Sequence, residues 1–296
     1  MGRIRIGTCS WTDPSLIRSG TFYPPSAGKA EARLAYYSSQ FDIVEVDSSY
    51  YSMPSRRNST LWAERTPEDF LFDMKAFRLF TQHPTPPQAI PADIRGALPQ
   101  SLRTKERLYF RDLPKELLQA LWAQFEDALM PLDSAGKLGV VLFQFAPWFH
   151  PGLPQMDHML TCKEQLASHQ LAVEFRNNLW LSEQNREATL SFLREHGLAF
   201  VCVDEPQGFK SSVPPLAATT ADVGIVRFHG RKAETWEKRN VSPTERFDYY
   251  YSDGELSPWA GRIKDCAAGA TDVHVLFNTN NGDQGVVNAR LMAKLL

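Results

Sequence analysis

Eight strand-like runs recur along this chain, and no two lie close enough in sequence to be joined by a tight hairpin. Strands joined by helix-length connections return to the same edge of a sheet and pair in parallel. The runs cover residues 4–9, 43–49, 70–75, 138–145, a fifth starting at Leu171, 199–203, 223–229 and 273–277. Most intervals carry a helical period: 27–40, a helix capped by Ser55, 115–130, 155–168, 183–196 stopped by Gly197, 255–267 and 286–296. Eight βα units in 296 residues match an α/β fold of the (β/α)8 TIM-barrel type, in a single domain over 1–296. An open doubly wound sheet is the alternative, but its glycine-rich first turn is absent.

The strands alternate apolar and charged residues. Val44 and Val46 oppose Glu45 and Asp47; Phe72 and Met74 oppose Asp73 and Lys75; Val173 and Phe175 oppose Glu174 and Arg176. In a barrel one face of each strand meets the helices and the other faces inward. With the apolar face outward, the interior carries Arg5, Glu45, Asp47, Asp73, Lys75, Gln144, Glu174, Arg176, Asp204, Arg227, His229 and Asn278. Those late in their strands fall at the C-terminal end, where TIM-barrel enzymes keep their active sites. Two long connections lie over that end. One follows strand three, at 78–114, is rich in proline and shows no expected element; the other follows strand seven and runs through Trp236 to Tyr249-Tyr250-Tyr251. The crossover at 207–222 shows no helical period.

Several function classes are disfavoured. Lys and Arg (32) nearly balance Asp and Glu (34), for a net charge of -2, so no global basic field points to nucleic acid. Cys9, Cys162, Cys202 and Cys266 are widely spaced, which predicts reduced thiols and a cytoplasmic location rather than a zinc knuckle or a disulfide framework. No apolar run approaches the ~20 residues that span a bilayer. Only His229 clearly suits a strand-end metal ligand, with His83 in the loop as a second, so no metal and no cofactor are expected. The pattern carries no partner count and leaves the oligomeric state open.

The motifs Ile6-Gly7-Thr8-Cys9-Ser10-Trp11, Val44-Glu45-Val46-Asp47-Ser48-Ser49-Tyr50-Tyr51, Phe72-Asp73-Met74-Lys75-Ala76, Val173-Glu174-Phe175-Arg176 with Trp180, Val226-Arg227-Phe228-His229-Gly230-Arg231 and Phe277-Asn278 resemble the YecE-like family, a family of unknown function. The resemblance runs from the first strand to the last helix and implies a TIM barrel; it implies no reaction. At fold level that barrel is similar to those of endonuclease IV and xylose isomerase, which is analogy alone. Asp47 stands where the family usually has Asn, and Thr81-Gln82-His83 replaces its Thr-His pair.

These features predict an enzyme, of hydrolase or lyase type, that acts on an anionic, phosphorylated small molecule or a nucleic-acid fragment. Glu174, Asp47, Lys75 and His229 are the expected catalytic groups. Arg176, Arg227 and Arg231 are expected to hold the anion, with Arg227 and His229 as a clamp, and Trp11, Tyr50, Trp180 and Asn278 to contact the rest of the ligand. Two alternatives stand beside this. One is a nucleic-acid-binding protein using Arg231, Lys232, Lys238, Arg239 and the mouth aromatics. The other is an inert barrel whose charges form an internal ion network.

Overall fold

In the computed structural model, which describes residues 1–296, the eight strands pair in parallel in sequence order and close into a barrel. They are β1 Arg3–Thr8, β2 Ile43–Val46, β3 Leu71–Lys75, β4 Leu138–Gln144, β5 Leu171–Glu174, β6 Ala199–Asp204, β7 Val223–Phe228 and β8 Asp272–Phe277. Six-residue registers join β8 to both β1 and β7, and these seams complete the closure.

The alternation in the sequence becomes two environments. Outward residues pack on tryptophans of the helix layer: Phe72 stacks on Trp62, Phe143 lies near Trp122, and Phe228 meets Trp259 edge-on at 5.4 Å. A core of 66 buried residues grows from such contacts. Inward residues stack in levels. Near the N-terminal end Arg5 Nε donates to Asp272 at 2.8 Å. Above it His274 Nδ1 lies 2.9 Å from Asp73, whose other oxygen accepts Val140 N–H at 2.9 Å. Cys9, Ile43 and Leu276 form a small apolar plug of their own. Polar groups inside a barrel must find such partners, because an unpaired one costs about 1–3 kcal/mol.

The helices fall close to the expected periods. Ser55 accepts Asn58 N–H and starts Arg56–Glu64; Gly197, at φ 59°, follows the end of Arg186–Glu195. No helix separates β6 from β7, as the missing period at 207–222 predicts. Two expectations need correction. The stretch 78–114 is not structureless: it holds the short helices Ala92–Ala97 and Gln100–Arg103 and an antiparallel bridge from Thr85 to Leu108. Second, Asp204 does not face the interior. Arg231, Tyr251 and Trp259 all hydrogen-bond its carboxylate, on the helix side of β6. Glu205, the next residue, turns inward instead and meets Arg176. The strand is buried on both faces, so its hydrophobic pattern gives no parity.

Close strand approach depends on Gly7, where an added Cβ would lie 2.0 Å from the Ile43 carbonyl oxygen. Gly7→Ala is expected to destabilise the fold by about 1–3 kcal/mol through overpacking against backbone. Gly261→Ala, in an exposed helical turn with open space around it, should be neutral or stabilising by up to ~1 kcal/mol. Urea denaturation of the two variants checks this pair; equal midpoints would refute it.

Candidate functional site

The inward charges near the top of the barrel divide into a buried level and an open level. At the centre of the buried level is Arg227, wholly excluded from solvent. Its Nε and Nη2 donate to the two oxygens of Glu45 at 2.8 and 2.7 Å, and its Nη1 donates to Glu174. Glu174 also receives Arg176 Nε at 2.9 Å and lies 3.2 Å from His229 Nε2. Arg176 reaches on to Glu205 at 2.5 Å, and Glu205 accepts Val213 N–H at 2.7 Å. The result is a chain of alternating acidic and basic side chains, Glu45–Arg227–Glu174–Arg176–Glu205, contributed by β2, β7, β5 and the end of β6.

Its electrostatics follow from burial and neighbours. Burial alone would raise the Glu174 carboxyl, but the charges of Arg227 and Arg176, with the His229 hydrogen bond, outweigh it and hold the group well below the usual carboxylate range. Glu205 goes the other way: burial pushes it up to about 8, only partly opposed by Arg176 and the Val213 amide. His229 is pushed down to about 3 by burial and by Arg176, so its ring is neutral at pH 7. Asn278 Nδ2 donates to His229 Nδ1 at 3.1 Å, which assigns the ring proton to Nε2, facing Glu174.

Above this level opens a cavity of about 670 Å³. Lys75 and Asp47 form its floor on one side, joined at 2.6 Å, with Gln144 and Asn278 nearby. Arg176 lines it while lying 5.0 Å over the Trp236 ring. Arg239 and Arg246 reach it from the connection after β7. Neither forms an ion pair with a carboxylate; Arg246 donates only to the carbonyls of Trp236 and Lys238, and burial together with the Arg176 charge lowers its pKa. Tyr50, Trp148 and Phe247 supply aromatic walls. His83 also lines the cavity, held at Nδ1 by Thr81 at 2.9 Å and edge-on to Tyr50 and Trp148. Burial and the Lys75, Arg78 and Arg176 charges push His83 down to about 3, so it too is a neutral base at pH 7.

Of the residues singled out in the sequence, Asp47, Tyr50, Lys75, Arg176 and Asn278 line the cavity. The other expected catalytic and ligand-contacting residues lie elsewhere. Arg227 and His229 form no anion clamp: Arg227 is spent on two carboxylates, and both nitrogens of His229 are occupied beneath the floor. Glu174 lies in the same buried level with no free oxygen. Arg231 is bidentate to Asp204, away from the cavity. Trp180 is wholly buried, stacked on Phe175 with its Nε1 donating to the Phe149 carbonyl. Trp11 packs edge-on against Trp62 in the helix layer. Both tryptophans were placed at strand ends by sequence position, which does not say which way a residue beyond the last paired position turns. Glu205, Arg246 and Trp236 were not anticipated as site residues. No strand pattern marks Trp236 or Arg246, because both sit in the long connection after β7; only its length was a signal. No group of three or more His, Cys, Asp or Glu is arranged to hold a metal ion.

Comparison with known proteins bears on the family rather than the chemistry. Residues 5–296 match the family model described as protein of unknown function DUF72. The chain is 35% identical over 297 residues to the UPF0759 protein YunF of Bacillus subtilis strain 168, covering 99% of this chain and 94% of that protein. Among solved structures it is similar to a DUF72 family protein of Thermotoga maritima, with a TM-score of 0.73 and 28% identity over 99% of this chain and 98% of that one. A DUF72 family protein of Enterococcus faecalis superposes with a TM-score of 0.78 and 25% identity over 99% and 95% of the two chains.

Removing one partner from a buried ion network leaves an uncompensated charge in low dielectric. Arg227→Ala is accordingly expected to cost about 3–5 kcal/mol of stability, and Arg227→Lys should not restore it, since a single ammonium cannot bridge Glu45 and Glu174 in the same geometry. Chemical denaturation measures both; a loss below ~1 kcal/mol for Arg227→Ala would show that the network contributes little.

Proposed function

The chain belongs to the DUF72 family, and we propose from its site that it is an enzyme acting on a phosphorylated or otherwise anionic ligand, held in the cavity at the C-terminal end of the barrel. One observation carries this: Arg239 and Arg246 line a cavity of about 670 Å³ without a carboxylate partner, beside Arg176. Like charges brought together in a partly dry site favour an anion between them, and a guanidinium offers paired donors to phosphate or carboxylate. The aromatic walls of Tyr50, Trp148, Trp236 and Phe247 suit a planar or sugar moiety attached to that anion.

The roles follow from what faces the ligand. His83, neutral and lining the cavity, offers a hydrogen bond to the ligand but, pushed down to about 3, is too weak a base to take its proton; Asp47 is the carboxylate placed to accept one in hydrolysis or elimination. Lys75, paired with Asp47, supplies positive charge to a developing oxyanion. Arg176 contributes to the anion site while Glu174 and Glu205 hold its orientation from below. Glu174 and Arg227 position the site and do not touch the ligand.

Glu205 makes anion binding depend on pH. Its carboxyl, raised to about 8, is neutral below that pH and leaves the Arg176 charge partly uncompensated; above it the carboxylate forms and cancels that charge. Sulfate, whose own charge does not change in this range, is the suitable probe. Its affinity should fall as pH rises from 7 to 9, and Glu205→Gln should abolish the fall. Arg239→Ala should weaken sulfate binding roughly tenfold at low salt, as expected for loss of a charge-assisted contact of about 1.4 kcal/mol. Calorimetric titration reads both. No saturable sulfate binding at low salt, or binding indifferent to Arg239, would sink the proposal.

A further inference from the structure

The connection after β3 builds a second concavity beside the first. It has a volume of about 400 Å³ and is lined by Gln82, Tyr109, Phe110, Arg111 and Trp148. Trp148 also walls the first cavity, so one indole, 48% exposed, separates and joins the two. A large aromatic left that open between two hollows is not serving the core. Phe110 is fixed from behind, edge-on to the buried His158 at 4.8 Å, and His158 in turn lies 2.8 Å from the Phe80 carbonyl oxygen. Arg111 is exposed and enters no ion pair. The chain reaches both hollows through one turn: Gln82 adopts a left-handed φ of 61° and lines the second, while the next residue, His83, lines the first. A non-glycine residue held there is costly, and such residues gather at functional sites.

We infer that the two hollows form one extended site for a ligand with two planar rings joined through phosphate, of dinucleotide type. One ring occupies the first cavity beside Tyr50 and Trp236. The second stacks on Trp148 and Tyr109, with its phosphate near Arg111. Each hollow pairs aromatic faces with a guanidinium free of carboxylate, the combination by which proteins take up successive bases and phosphates without reading sequence. This inference rests on the proposed anion-binding function of the first cavity and names the class of ligand it takes.

Calorimetric titration of the full chain with 5′-AMP, ADP and 5′-phosphorylated diadenylate tests it. The diadenylate should bind roughly tenfold more tightly than AMP, the scale of one added base stack. ADP, which adds charge without a second ring, should gain much less. Arg111→Ala, at an exposed position, should remove most of the diadenylate advantage. If AMP binds but diadenylate binds no better, or ADP gains as much, the second subsite is refuted and the first cavity stands. If none of the three binds while sulfate does, this inference fails and the anion site stands; if sulfate does not bind either, the proposed function fails and this inference fails with it.

Discussion

Everything at the open end of this barrel depends on Arg227 lying dry between Glu45 and Glu174. A guanidinium with no access to water is tolerated there only because two carboxylates surround it, and they in turn lie in low dielectric only because it is there. The three residues come from β7, β2 and β5, so the network ties distant strands across the barrel axis. It also sets a floor. Glu174 extends the alternation to Arg176 and His229, and the groups that face solvent stand on that floor.

The site follows as a division between two levels. Below, each charge has its complement and the chemistry is closed: His229 is neutral with both nitrogens engaged, and Glu174 has no oxygen to spare. Above, Arg239 and Arg246 from the β7 connection form no ion pair, in a hollow walled by aromatic rings where Asp47 is held by Lys75 and Glu237 by Ser211. Evolved barrels place their variable loops at this end, and here the connection after β7 is the largest single contributor to the lining of the cavity. His83 and Trp148 come from the β3 and β4 sides, Trp236 and Arg246 from the β7 side.

Much of the fold was legible because a parallel barrel leaves a strong periodic trace. Val44, Val46, Phe72, Met74, Val173 and Phe175 alternate with charges, and that parity placed Glu45, Asp73, Lys75, Glu174 and Arg227 inside; the six short motifs pointed to a family that the whole-chain match supports at the level of DUF72. Parity failed at β6, where Ala199–Asp204 is buried on both faces and Asp204 was read as inward in place of Glu205. Depth along a strand was harder still. Arg227 and His229 look like a clamp in sequence, two apart at a strand end, yet two carboxylates from other strands claim the arginine. No single-strand pattern contains that information. Trp11 and Trp180 failed for a related reason: past the last paired residue, the chain turns and the alternation stops. His83 and Arg246 lie in connections, where contact is decided by loop geometry rather than by period.

The claim that the upper level is an anion site, and the lower one its support, is tested most directly by a crystal of the protein soaked in sulfate. Sulfate density is expected in the cavity within hydrogen-bond reach of Arg239 or Arg246, with Arg227 still bound to Glu45 and Glu174. Sulfate found only elsewhere on the surface, with the cavity holding water alone, would contradict that claim.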